Sequence, residues 1–299
     1  MSVLILSKRD EDEYENRRLV ESLRDLGVPA TIYHPDKFDV IVGKGTGHGI
    51  KYEGQSFDMP DLVLPRTGSG TTEFMTALIR QFEESQIRCI NSSLSVEVAK
   101  DKMRSHQLLA SHGLPIPNTM LVRFPVEVDI VDNMIGWPCV VKVISGSYGE
   151  GIYLCENKTA FVKMMGFIND LKSPKMLLVQ EYIDAKPGED LRVFVVGGKV
   201  IGAMKRIAPP GDFRANISSG GYGEPFEVNS EIEYLAREAA RICGLQIAGI
   251  DLLFDKDGYK ICEANSAPGF EGFEKYCGVD VAAHIAEYIK YKISLSGRK

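Results

Sequence analysis

Long apolar runs are missing from these 299 residues. The N-terminus opens with Val3-Leu4-Ile5-Leu6 and turns polar at once, too short a run for a signal peptide or a membrane span. Cysteine is scattered thinly. The six residues Cys89, Cys139, Cys155, Cys243, Cys262 and Cys277 include no close pair and no metal-ligand spacing. A disulfide scaffold and a thiolate metal centre are therefore excluded, and several apolar settings predict buried free thiols in a reducing, cytoplasmic environment. Positive charge is not in excess: 35 Lys and Arg stand against 41 Asp and Glu, a net charge of −6. Nucleic-acid binding is not expected as the main business of such a chain, although basic clusters within a cleft are compatible with it. Internal repeats and low-complexity tails are absent too. The length exceeds one small core and fits two or three compact units.

What is there is an alternation of elements. Residues 1–95 read as an α/β unit: a strand at 3–6, a helix with Leu19, Leu23 and Leu26 on one face and Gly27 as its C-terminal cap, strands at 30–33 and 61–66, and a helix at about 72–84. Strands alternating with helices predict a largely parallel sheet, whose ligands gather at the carboxyl ends of strands. Arg66 sits at such an end, either as a substrate contact or as a solvated Arg beside a turn. Residues 96–183 read as a small α+β lid. It holds a helix at about 96–111, a linker marked by Pro115 and Pro117, strands at 139–143, 151–154 and 176–180, and a helix near 158–171. Residues 184–299 start with a hairpin, 191–196 and 199–204, turning on Gly197-Gly198. An irregular polar stretch (208–223), a helix (about 231–243), a second hairpin and a final helix carrying Val281, Ile285, Ile289 and Ile293 in register follow.

The second hairpin carries chemistry. Two apolar runs, 248–254 and 259–265, flank the polar turn Asp255-Lys256-Asp257-Gly258. A three-residue loop at 256–258 sets Asp251 opposite Glu263, and strand alternation puts Asn265 on the face of Glu263. Two carboxylates and an amide oxygen among Ile, Leu, Phe and Cys suit magnesium, particularly with substrate phosphates completing its shell. The alternative is a solvated hairpin with scattered acids.

Upstream, the loop Ser145-Gly146-Ser147-Tyr148-Gly149-Glu150-Gly151 follows a strand bearing Lys142. It offers backbone N–H groups to an anion, or is a structural turn. No Gly-Lys-Ser or Gly-Lys-Thr ends it, so it is not a Walker loop. Lys142, flanked by valines and an isoleucine, is an edge-strand residue or a charge aimed at a ligand. Gln180-Glu181-Tyr182-Ile183 ends a strand where backbone groups can read a flat base, or is an ordinary connection. Asp190 and Arg192 share a strand face; Lys205, Arg206 and Arg214 add positive charge to an acidic chain. Together these features favour a phosphoryl-transfer site.

These residues, with Asp101-Lys102-Met103-Arg104-Ser105, Arg214-Ala215-Asn216 and Glu263-Ala264-Asn265-Ser266-Ala267-Pro268-Gly269, resemble the ATP-grasp superfamily, and within it the RimK-type glutamate ligases, from Leu4 to about Ile293. The resemblance implies an ATP-grasp fold, α/β and α+β, with an N-terminal pre-ATP-grasp domain. It implies that Lys102 and Lys142 contact nucleotide phosphates, that the loop with Ser147, Tyr148 and Gly149 closes over them, that Glu181, Tyr182 and Ile183 hold adenine, and that Asp190 binds ribose. Arg192, Arg214 and Asn216 would serve the phosphates or an acyl phosphate. Asp251, Glu263 and Asn265 would hold two magnesium (or manganese) ions. The implied reaction joins an amino acid, L-glutamate, to a carboxylate acceptor at the expense of ATP. The acceptor is a peptide or protein carboxyl terminus, or a small coenzyme or metabolite; a nucleotide-binding protein without catalysis is the third alternative. A homo-oligomer, a tetramer built from dimers, is implied as well. The chain departs from the family at Lys205-Arg206-Ile207-Ala208 and at Pro209-Pro210, where relatives carry an acidic residue before Arg-Arg-Ala and then a charged pair. Arg206, with Lys205 beside it, is here the candidate for the glutamate carboxylates, with phosphate contact or plain solvation as the alternatives for Arg206.

Overall fold

The computed structural model describes residues 1–45, 49–143, 151–170, 176–215, 217 and 220–296. The first elements are β1 (Val3–Leu6), α1 (Tyr14–Asp25), β2 (Ala30–Tyr33), the short pair β3 (Phe38–Val40) and β4 (Ile50–Tyr52), β5 (Leu62–Pro65), α2 (Glu73–Glu84) and β6 (Arg88–Cys89). Strands β1, β2, β5 and β6 form a parallel sheet in the order β2-β1-β5-β6, as the alternation predicts. The cap of α1 is as read: Gly27 has φ +72°, and its N–H and that of Val28 donate back to Arg24 and Leu23.

The predicted helix at 96–111 is two helices, α3 (Ser93–Lys100) and α4 (Lys102–Ser111). Asp101 breaks them. Its backbone is extended and its carboxylate accepts the Arg104 N–H at 3.0 Å, the action of an N-cap that helical periodicity conceals. Lys102 thereby becomes the first residue of α4.

Next come β7 (Thr119–Leu121), α5 (Val128–Met134), β8 (Cys139–Val143), β9 (Ile152–Cys155), α6 (Lys158–Asp170) and β10 (Leu177–Glu181). Their antiparallel sheet runs β7-β10-β8-β9. It has its own core, in which Val141, Phe161, Leu177 and Val179 meet.

The last unit holds β11 (Glu189–Val196), β12 (Lys199–Ile207), β13 (Tyr222–Phe226), α7 (Ser230–Ile242), β14 (Ile247–Asp255), β15 (Gly258–Asn265), α8 (Glu271–Cys277) and α9 (Val281–Ser296). The five-stranded antiparallel sheet runs β13-β12-β11-β14-β15. Strand β13 overlaps the stretch read as irregular. Its Pro225 is tolerated because β13 lies at the sheet edge. One sheet face is covered by α7, with Ile232, Leu235, Ala236, Ala239 and Cys243 all buried. On the other face, Phe194 and Phe273 share a core with Ile5, Leu62 and Leu64 of the N-terminal sheet and with Ile285 and Ile289 of α9. The first and last units are thus joined by one hydrophobic core, while the middle sheet keeps a separate one. All six cysteines are free, with Cys262 and Cys277 half-buried. Among the described residues no helix is long and apolar enough to cross a membrane.

Candidate active site

The hairpin β14–β15 has Asp251 facing Glu263, the pairing expected from the sequence, and Gly249 facing Asn265. The route to it differs. The turn has two residues, Lys256 and Asp257, with Asp255 paired to Gly258. That register alone would set Asp251 against Cys262. A bulge at Cys262 shifts it by one, so that Leu252 faces Ile261 while Asp251 faces Glu263.

Neighbouring strands add charge to the same row. Arg192 of β11 pairs in register with Asp251, and its guanidinium grips both carboxylate oxygens, Nη2 to Oδ2 at 2.9 Å and Nε to Oδ1. Arg206 of β12 reaches across, Nη2 to Asp251 Oδ2 at 3.1 Å, and holds Asp190 at 2.6 and 2.7 Å. Glu263 accepts from the Lys102 ammonium at the start of α4. Burial alone would raise the Asp251 pKa, but Arg192 and Arg206 hold it below its ordinary value; Lys102 does the same for the half-buried Glu263. Both carboxylates are therefore ionised at neutral pH. Asn265 donates to the Gly249 carbonyl at 3.2 Å and to Asp251 at 3.4 Å, which leaves its amide oxygen turned to other partners. Two ionised carboxylates and one amide oxygen on a shared sheet face form a hard donor set, and it fits magnesium.

Lys142 is not on an edge, since β8 lies between β10 and β9. Its ammonium donates to Gln180 at 2.7 Å and lies 3.9 Å from the Cys262 sulfur. Gln180 is buried, and its amide nitrogen donates to Thr119 at 2.8 Å. His106 of α4 is buried beside it, with Nδ1 3.1 Å from the Thr119 hydroxyl and Nε2 3.0 Å from the Cys262 carbonyl. A polar chain therefore runs from Lys142 through Gln180, Thr119 and His106 to the bulge beside Glu263. Sequence reading missed Thr119 and His106, because a polar residue inside a helix or strand carries no mark of its partner. Lys260 was missed as well; its ammonium lies 3.0 Å from both Glu181 oxygens.

The structure gathers the predicted residues unevenly. Lys102, Lys142, Asp251, Glu263 and Asn265 line one cleft of about 1300 Å³, as do Arg66, Arg192 and Arg206. Glu181, Tyr182, Ile183, Asp190 and Arg214 are not among its lining residues. Glu181 accepts from Lys260 and from the Asn118 backbone at 3.0 Å. The Tyr182 ring stands edge-on to Phe213, and Ile183 is buried. Arg214 is held by Asp212 at 2.8 and 3.0 Å. Both oxygens of Asp190 are occupied by Arg206, which is only 5 % exposed and so is not a solvated cation. Ser147, Tyr148, Gly149 and Asn216 lie outside the described residues.

Residues 1–96 match the family model described as RimK PreATP-grasp domain, and residues 99–289 match that of the RimK-like ATP-grasp domain. The chain is 38 % identical over 296 residues to a probable alpha-L-glutamate ligase of Aeromonas salmonicida, covering 98 % of each. It is 36 % identical over 293 residues to the protein of the same description from Thioalkalivibrio sulfidiphilus, covering 97 % of this chain and 95 % of the relative. In fold it is similar to the ATP-grasp ligase PsnB complexed with a phosphomimetic variant of its minimal precursor, Mg and ADP: TM-score 0.75, 22 % identity and 98 % of both chains covered.

Proposed function

We propose, since this chain belongs to the RimK-like ATP-grasp family and is an ATP-dependent ligase, that it activates a substrate carboxylate as an acyl phosphate and joins L-glutamate to it through an amide bond. In the proposed reaction the carboxylate oxygen takes the γ-phosphoryl group of ATP and ADP leaves. The neutral glutamate amine then forms a C–N bond to the activated carbonyl, the C–O bond to phosphate breaks with its electron pair going to inorganic phosphate, and the departing phosphate takes up the amine proton.

The observation that carries the reading is the charged row along β11, β14 and β15. Asp251 and Glu263 are ionised, and Arg192, Lys102 and Lys142 stand at the same cleft. Asp251, Glu263 and Asn265 would hold magnesium. Magnesium, when bound, neutralises charge on the phosphates. Lys142 supplies a fixed ammonium whose direction is set by Gln180, so its orientation needs no reorganisation during reaction. Arg192 fixes Asp251, and Arg206, behind it, fixes both Asp251 and Asp190. No side chain needs to act as a nucleophile, since phosphate transfer generates the electrophile. The cleft draws its lining from all three units, and keeping water from the bound intermediate would protect an acyl phosphate from hydrolysis.

The cleft exceeds the 300–1000 Å³ typical of a site for one small molecule. Its size favours a second extended ligand beside the nucleotide, and a peptide or protein carboxyl terminus is the acceptor we propose. The test is ADP release with magnesium-ATP, L-glutamate and a set of candidate carboxylates, followed by product mass determination. We expect a product heavier by one glutamyl residue, and we expect Asp251→Asn to abolish it. ADP release with no mass change on any carboxylate would refute the ligase chemistry proposed.

A further inference from the structure

At the carboxyl end of β5 a cation is enclosed but only partly answered. Arg66 donates from Nη2 to the Pro268 carbonyl at 2.8 Å, and its guanidinium carbon lies 5.5 Å from the centre of the Phe270 ring. Its Nε is shut off from solvent and has no hydrogen-bond partner, alone in this among the described side chains. None of the ion pairs found among the described residues includes it. Glu15 acts on it only from a distance, and burial lowers its pKa to about 10, which leaves it charged at neutral pH. Arg66 is half-buried, and a cation whose Nε is sealed from water and unbonded carries a desolvation cost that a ligand could offset.

Glu15 lies on the same cleft wall. Its side chain is 14 % exposed; Oε1 accepts the Phe270 N–H at 3.2 Å, and Oε2 is 3.6 Å from Arg9. One fixed cation and one fixed anion thus face the cleft without pairing to each other.

We propose that Arg66 and Glu15 are the binding site for the amine substrate, a zwitterionic α-amino acid, with Arg66 holding its carboxylate and Glu15 its ammonium. The inference rests on the ligase reading above and names a subsite of it. Charge separates the choices. An anion alone, whether a phosphate or an acceptor carboxylate, is repelled by Glu15; an amino acid satisfies both groups. Position agrees. Pro268, which accepts from Arg66, follows Asn265 by three residues and lies against Gly249, where a Cβ would come within 2.7 Å of the Pro268 ring. Asn265 donates to the carbonyl of that same Gly249. The Arg66 subsite therefore adjoins the charged row, where a carboxylate that does not react would sit beside the one that does. Arg is suited to such a carboxylate through its planar array of donors.

The test uses the full chain with magnesium-ATP, L-glutamate as amine and a glutamate-terminated peptide as acceptor probe. Hydroxylamine replaces the amino acid in a parallel assay. It attacks the same acyl phosphate, forms a C–N bond, expels phosphate and needs no carboxylate subsite. Arg66→Met should raise the KM for L-glutamate at least about tenfold, with hydroxamate formation and the KM for ATP within about twofold of wild type. Arg66→Lys should recover part of the loss. L-glutamate should raise the thermal midpoint of the wild type and not that of Arg66→Met. Without ligand, the midpoint of Arg66→Met should equal or exceed that of the wild type, because a costly charge is gone. An unchanged KM for L-glutamate overturns the inference, as does hydroxamate formation that falls in step with amide formation. A lower ligand-free midpoint for both variants would make Arg66 a structural residue and also overturns it. A wild type that forms neither product overturns the ligase reading itself.

Discussion

Replacing Arg206 with alanine should destabilise the fold before it alters affinity for any substrate. Arg206 is 5 % exposed and gives three hydrogen bonds, two to Asp190 at 2.6 and 2.7 Å and one to Asp251 at 3.1 Å. Asp251 keeps Arg192 after the change, but Asp190, its side chain 14 % exposed, is left with no hydrogen-bonded cation. Removing one partner of a buried pair costs about 3–5 kcal/mol, because the remaining charge is uncompensated. At roughly 2–4 °C per kcal/mol for a protein of this size class, the thermal midpoint should fall by about 6–20 °C. Asp190→Asn in the same chain removes the orphaned charge and should return part of the loss, a coupling that a double-mutant cycle measures. The assay is thermal unfolding followed through the single tryptophan, Trp137, with steady-state kinetics on the folded variant at low temperature. A midpoint within about 2 °C of wild type, together with a raised KM for L-glutamate alone, would refute this reasoning and return Arg206 to the substrate.

Lys142→Ala should weaken magnesium-ATP binding by about tenfold or more in calorimetry, and because it strips the buried Gln180 oxygen of its donor it should also cost about 1–3 kcal/mol of stability; unchanged nucleotide affinity would refute the assignment. The pH dependence of stability should carry the mark of His106. Burial lowers its pKa below the ordinary 6.5, with Lys142 and Lys102 adding to the effect and the Cys262 carbonyl and Glu263 opposing it. A depressed folded-state value means that its contribution is whole above pH 6.5 and is lost as the pH falls. The wild type should therefore lose stability on acidification from pH 7.5 to 5.5 more steeply than His106→Gln, as measured by chemical denaturation at each pH; equal slopes would refute it.

The parts of the fold that were legible are those whose cause is local. Gly27 closes α1 through its own positive φ, and the alternation of 1–95 predicts a parallel sheet because crossover helices leave no other short connection. The apolar stripe of α7 likewise faces the sheet as its period requires. What stayed hidden depends on distant partners. Asp101 reads as one more polar residue of a helix until its carboxylate is seen capping the next one. Strand β13 contains glycine and proline and is held as a strand only by pairing with β12. Arg206 looked like a solvated or substrate-facing charge, because nothing near it in sequence announces Asp190 and Asp251 as its partners. Basic residues in an acidic chain can be spotted by composition. Which of them face a ligand and which brace an acid is decided by register.

The Cys262 bulge carries this point furthest. Regular pairing from the two-residue turn would put Cys262 opposite Asp251 and send Glu263 to the far face. The extra residue restores Glu263 and Asn265 to the face of Asp251. It also leaves the Cys262 carbonyl free of the ladder, where His106 takes it up at 3.0 Å. The bulge therefore fixes the donor set and anchors the polar chain leading to Lys142 by a single backbone irregularity. A carboxylate site built on a regular hairpin could be read from alternation alone. Here alternation and a three-residue loop reach the right pairing for the wrong reason, because one turn residue too many and an unseen bulge each move the register by one.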